Sequence, residues 1–395
     1  RRDTWSSEAL GRNNFVSTQG FAGPGVPTLT SGGGSTGVGD NSLAVTNAGL
    51  FVQEVLGWKD RLFITGGLRV DGNSSFGDDF GLQYYPKVSV SYIMSDHSFW
   101  PTDWFDTFKL RGALGESGRA PGAFDRLRTW SPVTESEGNP GFTPNDIGNN
   151  NVGPERTREL EFGFDASFLG GRFGLEATYF SNRTTDALVP VIYPPSQGFL
   201  SARTENVGII EGTGYEFQVR ATLLQSESFE WRTVVNLGFN DNEAIDLLGQ
   251  EIFADNKGGV REGFPVPGYF GRKIMNPDEF ADPEVETNQF LGAVNPTRTI
   301  GVNTNFSIGQ SLTVDALFEH QGGHFLPQYT GYQNGRRGSW YPCFDTQAKI
   351  VAARAGNASA LNDVTAEERA KCAMNAFGGY NSDYWVESAD FWKWR

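Results

Sequence analysis

Between Thr157 and Asp186 the chain alternates in chemical character. Leu160, Phe162, Phe164, Ala166 and Phe168 take every second position against Glu159, Glu161, Gly163, Asp165 and Ser167, and after Leu169-Gly170-Gly171 the pattern resumes with Phe173, Leu175, Ala177 and Tyr179. A period of two, with one apolar and one polar face, specifies an antiparallel β-hairpin. The pattern recurs along the chain, and each time a tight turn closes one end while a much longer segment leaves the other. Short turns at one rim and long loops at the opposite rim are what a transmembrane β-barrel requires.

The composition agrees with a wall one residue thick. Hydrophobic residues make up only 38% of the 395 positions, while 50 glycines and 13% aromatics suit strands with little bulk core to fill. Mean hydropathy is −0.40, and no uninterrupted apolar run reaches the roughly 18 residues a spanning helix needs. A spanning strand needs only about ten residues with every second one apolar, because neighbouring strands satisfy the backbone groups that lipid cannot. The formal charge of −15 argues against nucleic acid as a partner, which calls for a basic stripe. It fits solvated loops and a polar lumen, with cation recruitment as a second reading.

We divide the chain into residues 1–47, an irregular segment containing the glycine-rich run Gly32 to Gly37, and residues 48–395, a partial barrel. No Gly-Lys-Ser/Thr follows those glycines, which leaves a linker rather than a phosphate loop. Strands are expected at Ala48–Trp58 and Arg61–Asp71 around a Lys59-Asp60 turn, at Tyr84–Ser95, at Phe108–Leu114, in the hairpin above, and at Tyr215–Leu223 and Trp231–Phe239. A further hairpin is expected from Ile300 to Phe318 around Gly309-Gln310, and a last half-strand at Phe391–Arg395. That makes about eleven. Phe99, Trp100, Trp104 and Phe105 are placed to form an interfacial aromatic girdle. Long excursions fall at Gly115–Glu155, Asn182–Glu211, Asp241–Pro296 and Gln321–Ser388, with one short helix expected within Thr346–Ala376. With no start methionine and no export signal in view, the sequence reads as an internal portion of a larger barrel, cut at both ends and without a plug.

Gly49-Leu50-Phe51 to Gly72, Phe108-Lys109-Leu110-Arg111-Gly112-Ala113 and above all Pro154-Glu155-Arg156-Thr157-Arg158-Glu159-Leu160-Glu161-Phe162-Gly163-Phe164-Asp165 resemble the C-terminal barrel half of TonB-dependent outer-membrane transporters, and within them the SusC/RagA-like group. The segment from Asn206 to Glu216 is similar to that group's N-x-G-x-x-x-N-x-G-x-E approach to a strand. Asn206 and Gly208 match, and Gly212-Thr213 replaces the usual Asn-Lys or Asn-Arg. The resemblance covers nearly all of residues 48–395. It implies a barrel of twenty-two strands in the bacterial outer membrane, with an N-terminal plug and with import of a glycan or peptide driven by TonB and the proton-motive force. It also implies, for this group, a SusD-like surface lipoprotein as partner.

Candidate functional residues follow from position. Arg111, Glu161, Asp165, Glu216, Arg220 and Asn303 stand on polar faces and line the lumen in this register; a slip of one residue would turn them outward. Trp130, Tyr193, Tyr269, Phe270, Trp340 and Tyr341 lie in the excursions, where aromatic faces suit sugar rings or peptide side chains. Cys343 and Cys372, on one long loop, read as a disulfide. No enzymatic activity, cofactor or metal site is expected. His320 and His324 are separated by glycines at a strand end, and the acidic pairs Asp78-Asp79, Glu135/Glu137 and Glu284/Glu286 share no evident scaffold. The Asp146–Asn151 run lacks a regular calcium loop. Two other readings stay open on the residues: a passive porin or loop-displaying adhesive barrel, and a soluble all-β carbohydrate-binding protein.

Overall fold

The computed structural model describes residues 2–14, 34–100, 105–134, 140–254, 258–309, 311–375 and 381–395. Its centre is one antiparallel sheet of twelve strands in sequence order. We number these β1 (Arg2–Asn14), β2 (Gly34–Trp58), β3 (Leu62–Asn73), β4 (Gln83–Ile93), β5 (Thr107–Arg119), β6 (Glu155–Phe168), β7 (Phe173–Thr185), β8 (Ile209–Gln225), β9 (Phe229–Asp246), β10 (Arg298–Ile308), β11 (Leu312–Gly322) and β12 (Phe391–Trp394). β1 and β12 are its two edges, with no ladder between them among the described residues.

The alternation sets the register. Leu110, Phe164, Ala177, Phe217, Leu237 and Ile300 face each other across consecutive strands, and so do Phe108, Ala166, Leu175, Val219, Val235 and Val302. These rows form one face of the sheet. Much of that face has no protein cover: Leu50, Leu56, Val88, Leu114, Phe162 and Tyr215 are each at least 40% exposed. Apolar surface on this scale is costly in water, at about 25 cal/mol per Å², and is stable against hydrocarbon. On β6 the apolar run from Leu160 to Phe168 rises roughly 20 Å at about 3.3 Å per residue and a tilt near 40°, close to the height of a barrel's lipid-facing band.

The rims differ as the sequence implies. Lys59-Asp60, Leu169–Arg172, Glu227 and Gly309 close tight turns at one rim. In the β6–β7 turn Leu169, Gly170 and Gly171 all have left-handed φ, at 53°, 67° and 77°, a conformation that the two glycines, unlike Leu169, adopt without steric cost. The 94–106 connection lies at this rim as well. There Trp100 stacks on Phe108 at 5.1 Å, Phe105 lies 4.8 Å from Phe168, and Phe108 lies 5.6 Å from Phe164, between ring centroids. These rings cluster where the sequence expects an interfacial girdle; Trp104 lies outside the described residues.

Three expectations are corrected. Residues 1–47 do not form a single irregular segment, because Arg2–Asn14 pairs with Gly34–Thr46 and extends the wall to twelve strands. Several strands also run further than the sequence pattern: β5 reaches Arg119, β8 begins at Ile209 and β9 continues to Asp246. At these ends both faces carry polar residues, so the period of two vanishes while the backbone ladder continues. The Thr346–Ala376 region, finally, holds two helices rather than one: α2 (Phe344–Arg354) and α3 (Ala366–Lys371), preceded by α1 (Tyr329–Gly335). Thr365 caps α3 in a reciprocal capping box with Glu368, which stops the chain from running on as one helix.

The excursions carry their own ribbons. Trp130–Thr134 pairs with Pro140–Pro144, and Leu188–Val191 with Arg203–Asn206; a four-stranded sheet spans Ile252 to Ala293, and Phe325–Pro327 pairs with Val386–Ser388. The two longest excursions are tied together. Ala366 donates its N–H to the Glu279 carbonyl at 2.8 Å, Arg369 pairs with Asp282 at 2.8 Å, and the Arg272 N–H donates to the Asp383 carboxylate at 3.0 Å.

If the apolar rows meet lipid, the two faces will answer a new charge differently. Phe164→Arg is expected to cost about 2–4 kcal/mol, whereas Gln218→Arg on the opposite face should stay under about 1 kcal/mol. Equilibrium unfolding of the protein in detergent micelles measures both.

Candidate functional site

The six polar wall residues singled out in the sequence share one face of the sheet. The ladders place Arg111, Gly163, Thr178, Glu216, Gly238 and Thr299 in one transverse row, and Lys109, Asp165, Glu176, Gln218, Asn236 and Gly301 in the next. Glu161, Arg220 and Asn303 fall on the same face by the same registers.

Glycines opposite arginines shape this face. Gly163 sits directly across from Arg111, and its missing side chain lets the guanidinium lie across β6. Arg111 then donates to Asp165 Oδ1 at 3.0 Å and reaches Thr178 Oγ1 on β7 at 2.6 Å. Lys109 closes the group on the other Asp165 oxygen at 2.5 Å. Gly174 plays the same part for Arg220, which pairs with Glu176 at 2.7 Å. Gln218 donates to Asn236 at 2.9 Å. Arg111, Glu176, Thr178, Glu216, Gln218, Asn236 and Thr299 surround a polar hollow of about 430 Å³. Charge pairs of alternating sign on half-exposed strands hold one another in place and leave donors and acceptors facing the hollow. Of the six predicted wall residues only Arg111 and Glu216 line it; Glu161, Asp165, Arg220 and Asn303 stand outside it.

Lys109, Glu176, Thr178, Gln218, Asn236 and Thr299 were not singled out from the sequence. The alternation that marked Arg111 and Asp165 also marks them, but their convergence depends on how far each strand is offset from its neighbour, which no single strand encodes.

The aromatic candidates do not converge. They sit in four separate excursions, and most are engaged in packing. Tyr193 donates its hydroxyl to Glu205 at 2.6 Å and lies under the Arg203 guanidinium at 4.4 Å; the bond to Glu205 raises its pKa. Tyr269 is buried, and Phe270 packs between Phe264 and Phe290 with the Arg261 guanidinium 4.5 Å above its ring. These two nevertheless border a cleft of about 520 Å³ between the two long excursions, which Asp383 also lines. Trp340 packs edge-on to the buried Trp385. Only Trp130 and Tyr341 among the six keep most of their surface open, at 53% and 82%.

Cys343 and Cys372 form a disulfide beside Trp385 and knit α2 to α3. His320 stacks on Trp392 at 4.6 Å and bonds through Nδ1 to the Phe391 carbonyl at 2.8 Å, while His324 is buried. They serve strand packing rather than a shared ligand. Asn149, in the run considered for calcium, spends its amide on Thr204 and Glu205, and Asp78 pairs with Arg126 at 3.2 Å. Glu135 and Glu137 lie outside the described residues. Among the described residues no group of three or more His, Cys, Asp or Glu is arranged to hold a metal.

A family model described as TonB dependent receptor-like, β-barrel matches residues 2–341. The chain belongs to that family. Curated relatives include the TonB-dependent receptor P26 of Formosa agariphila, 29% identical over 55% of this chain and 23% of its own length. The TonB-dependent receptor SusC of Bacteroides thetaiotaomicron is 26% identical over 48% of this chain and 20% of its own length. The chain spans about a quarter of the length of the curated relatives it matches. Among solved structures, the RagAB peptide transporter superposes with a TM-score of 0.67 at 18% identity, covering 82% of this chain and 37% of that one. The "closed-closed" state of the RagAB importer gives 0.66 at 17%, over 85% and 40%. The twelve-stranded sheet is thus a TonB-dependent receptor barrel wall, as the sequence resemblance implied.

Two outcomes test the site. Adding a Cβ at Gly163 places it 2.6 Å from the Ala177 carbonyl oxygen and 3.2 Å from the Arg111 guanidinium. Gly163→Val is therefore expected to cost about 1–3 kcal/mol in unfolding measurements, with the Arg111–Thr178 bond displaced. In the excursion, Lys349 bridges Asp363 and Asp345 at 2.9 Å each. The hydrogen bond to Asp363 raises the Lys349 pKa, and the same bond lowers that of Asp363. The depressed carboxylate stabilises above its unfolded value near ~4 and loses that contribution as pH falls further; the raised ammonium stabilises below ~10.4 and loses it as pH climbs past its folded value. Limited proteolysis at the α2 end should accordingly be flat between about pH 5 and 9 and rise on the acid side first.

Proposed function

We propose that the protein imports a nutrient oligomer, a glycan or a peptide, across the outer membrane of a bacterium in a TonB-dependent cycle, and that it is a transporter with no catalytic role. The observation that carries this reading is the division of one twelve-stranded sheet into an apolar face with no protein cover and a polar face lined by Arg111, Asp165, Glu176, Glu216 and Arg220. Membership of the TonB-dependent receptor family supplies the context. The polar face is the lumen, and a plug domain and TonB-contacting segment supplied by residues other than these gate it. A SusD-like surface lipoprotein is the expected partner over the long-loop rim, in keeping with the likeness to SusC and to RagAB, described as a peptide transporter. Of the excursion aromatics, Trp130 and Tyr341 are the ones with open faces for cargo.

Uptake measurements decide it. Deleting the gene should abolish growth on the cognate oligomer, and a protonophore should stop uptake in the wild type within minutes. Uptake that persists with the proton-motive force collapsed would replace this reading with a passive porin.

A further inference from the structure

The cleft of about 520 Å³ between the two long excursions contains a polar group that the fold does not use. Tyr269, on the strand Gly268–Ile274, is only 8% exposed, yet its hydroxyl has no hydrogen-bond partner among the described residues. That oxygen is not sealed from solvent: the sealed atoms without partners lie elsewhere, at residues such as His324 and Gln333. Burial raises the pKa of Tyr269, with Tyr329 as the lesser cause, so the group stays a neutral phenol that can both donate and accept. Most buried polar groups find a partner, because going without one is costly. Tyr269 has no open ring face for cargo; what it offers the cleft is this hydroxyl.

The turn Ser382–Trp385 brings Asp383 to the same cleft. One oxygen of its carboxylate accepts the Arg272 N–H at 3.0 Å, which fixes it to the strand that carries Tyr269. Gly271 leaves room for this approach, since a Cβ there would lie 2.7 Å from the carboxylate. The other Asp383 oxygen takes no bond among the described residues, and the exposed Arg272 joins no ion pair among them. Thr287, Asn288 and Ser382 complete the polar lining. Asn288 gives its side-chain oxygen to Arg261, which leaves its amide hydrogens to donate. One carboxylate and one guanidinium cancel in formal charge, and the remaining groups are neutral. Such a set suits a sugar ring, whose hydroxyls each donate and accept and so need both kinds of group side by side. A peptide asks for an open strand edge and pockets for alternate side chains, whereas Gly268–Ile274 is paired on both sides.

We propose that this cleft binds a short, uncharged stretch of a glycan, with Asp383 accepting from sugar hydroxyls and the Tyr269 hydroxyl completing the contact from the buried side. This inference rests on the reading of the protein as an importer of an oligomer, and it selects the glycan over the peptide. The carboxylate is held in place before the ligand arrives, which spares the cost of ordering it on binding.

The test exposes the protein in detergent to a printed array of neutral and acidic oligosaccharides and to a peptide library. Wild type should retain neutral glycans. Tyr269→Phe removes a hydroxyl that no protein group holds, so its melting temperature should match wild type while affinity for the retained glycan falls about fivefold, the worth of one neutral hydrogen bond. Asp383→Asn keeps an oxygen for the Arg272 N–H and should lower affinity at least as much. Unchanged affinity in both variants, or a wild type that retains no glycan, overturns the proposal. Retention of peptides or acidic glycans alone, weakened by Tyr269→Phe, overturns the assignment to an uncharged sugar. Uptake by cells separates this site from the importer reading: uptake driven by the proton-motive force and undiminished in both variants sinks only the site, whereas uptake indifferent to that force sinks the importer reading itself.

Discussion

A strand that touches hydrocarbon has nothing but its neighbours to accept its N–H groups or donate to its carbonyls, and an unmet group there costs several kcal/mol. Everything in this wall follows from that requirement. The ladders run without interruption from β2 to β11, apart from shifts in register near the two ends of the β8–β9 pair. Side chains are free to take opposite chemistry on the two faces because the backbone alone holds the sheet together.

Freed from holding the strands together, the polar face is organised by local bargains between residue sizes. Arginine needs room to lie flat, and glycine across the ladder gives it. Gly163 with Arg111 and Gly174 with Arg220 repeat the device at two places on adjacent strands. The outcome is a surface of charges held in fixed positions, with donors and acceptors left open on that face.

The sequence made the wall legible and the rim illegible, and the reason is physical. Within the lipid band each strand meets two solvents, and residues such as Leu160 to Phe168 record that contact with a strict period of two. Beyond the band both faces meet water, so the ladder from Ile209 to Thr213 or from Asn240 to Asp246 carries no such mark, and β1 left none either. The polar hollow was partly visible: the alternation named Arg111 and Glu216, but strand offsets brought Glu176 and Asn236 to them. The packing of Phe270 depended on Phe264, Phe290 and Arg261, partners fixed by the fold of the excursion sheet, and so nothing near it in the chain announced it.

The bonds from Ala366 to Glu279, from Arg369 to Asp282 and from Arg272 to Asp383 join two excursions that leave the wall from different strands. A latch at three points, stiffened by the Cys343–Cys372 bridge, makes the pair hinge as one plate rather than as two ropes. Any tug on one is shared by the other, so a change confined to residues 277–282 ought to be felt at α3, which they touch, and through the disulfide at α2.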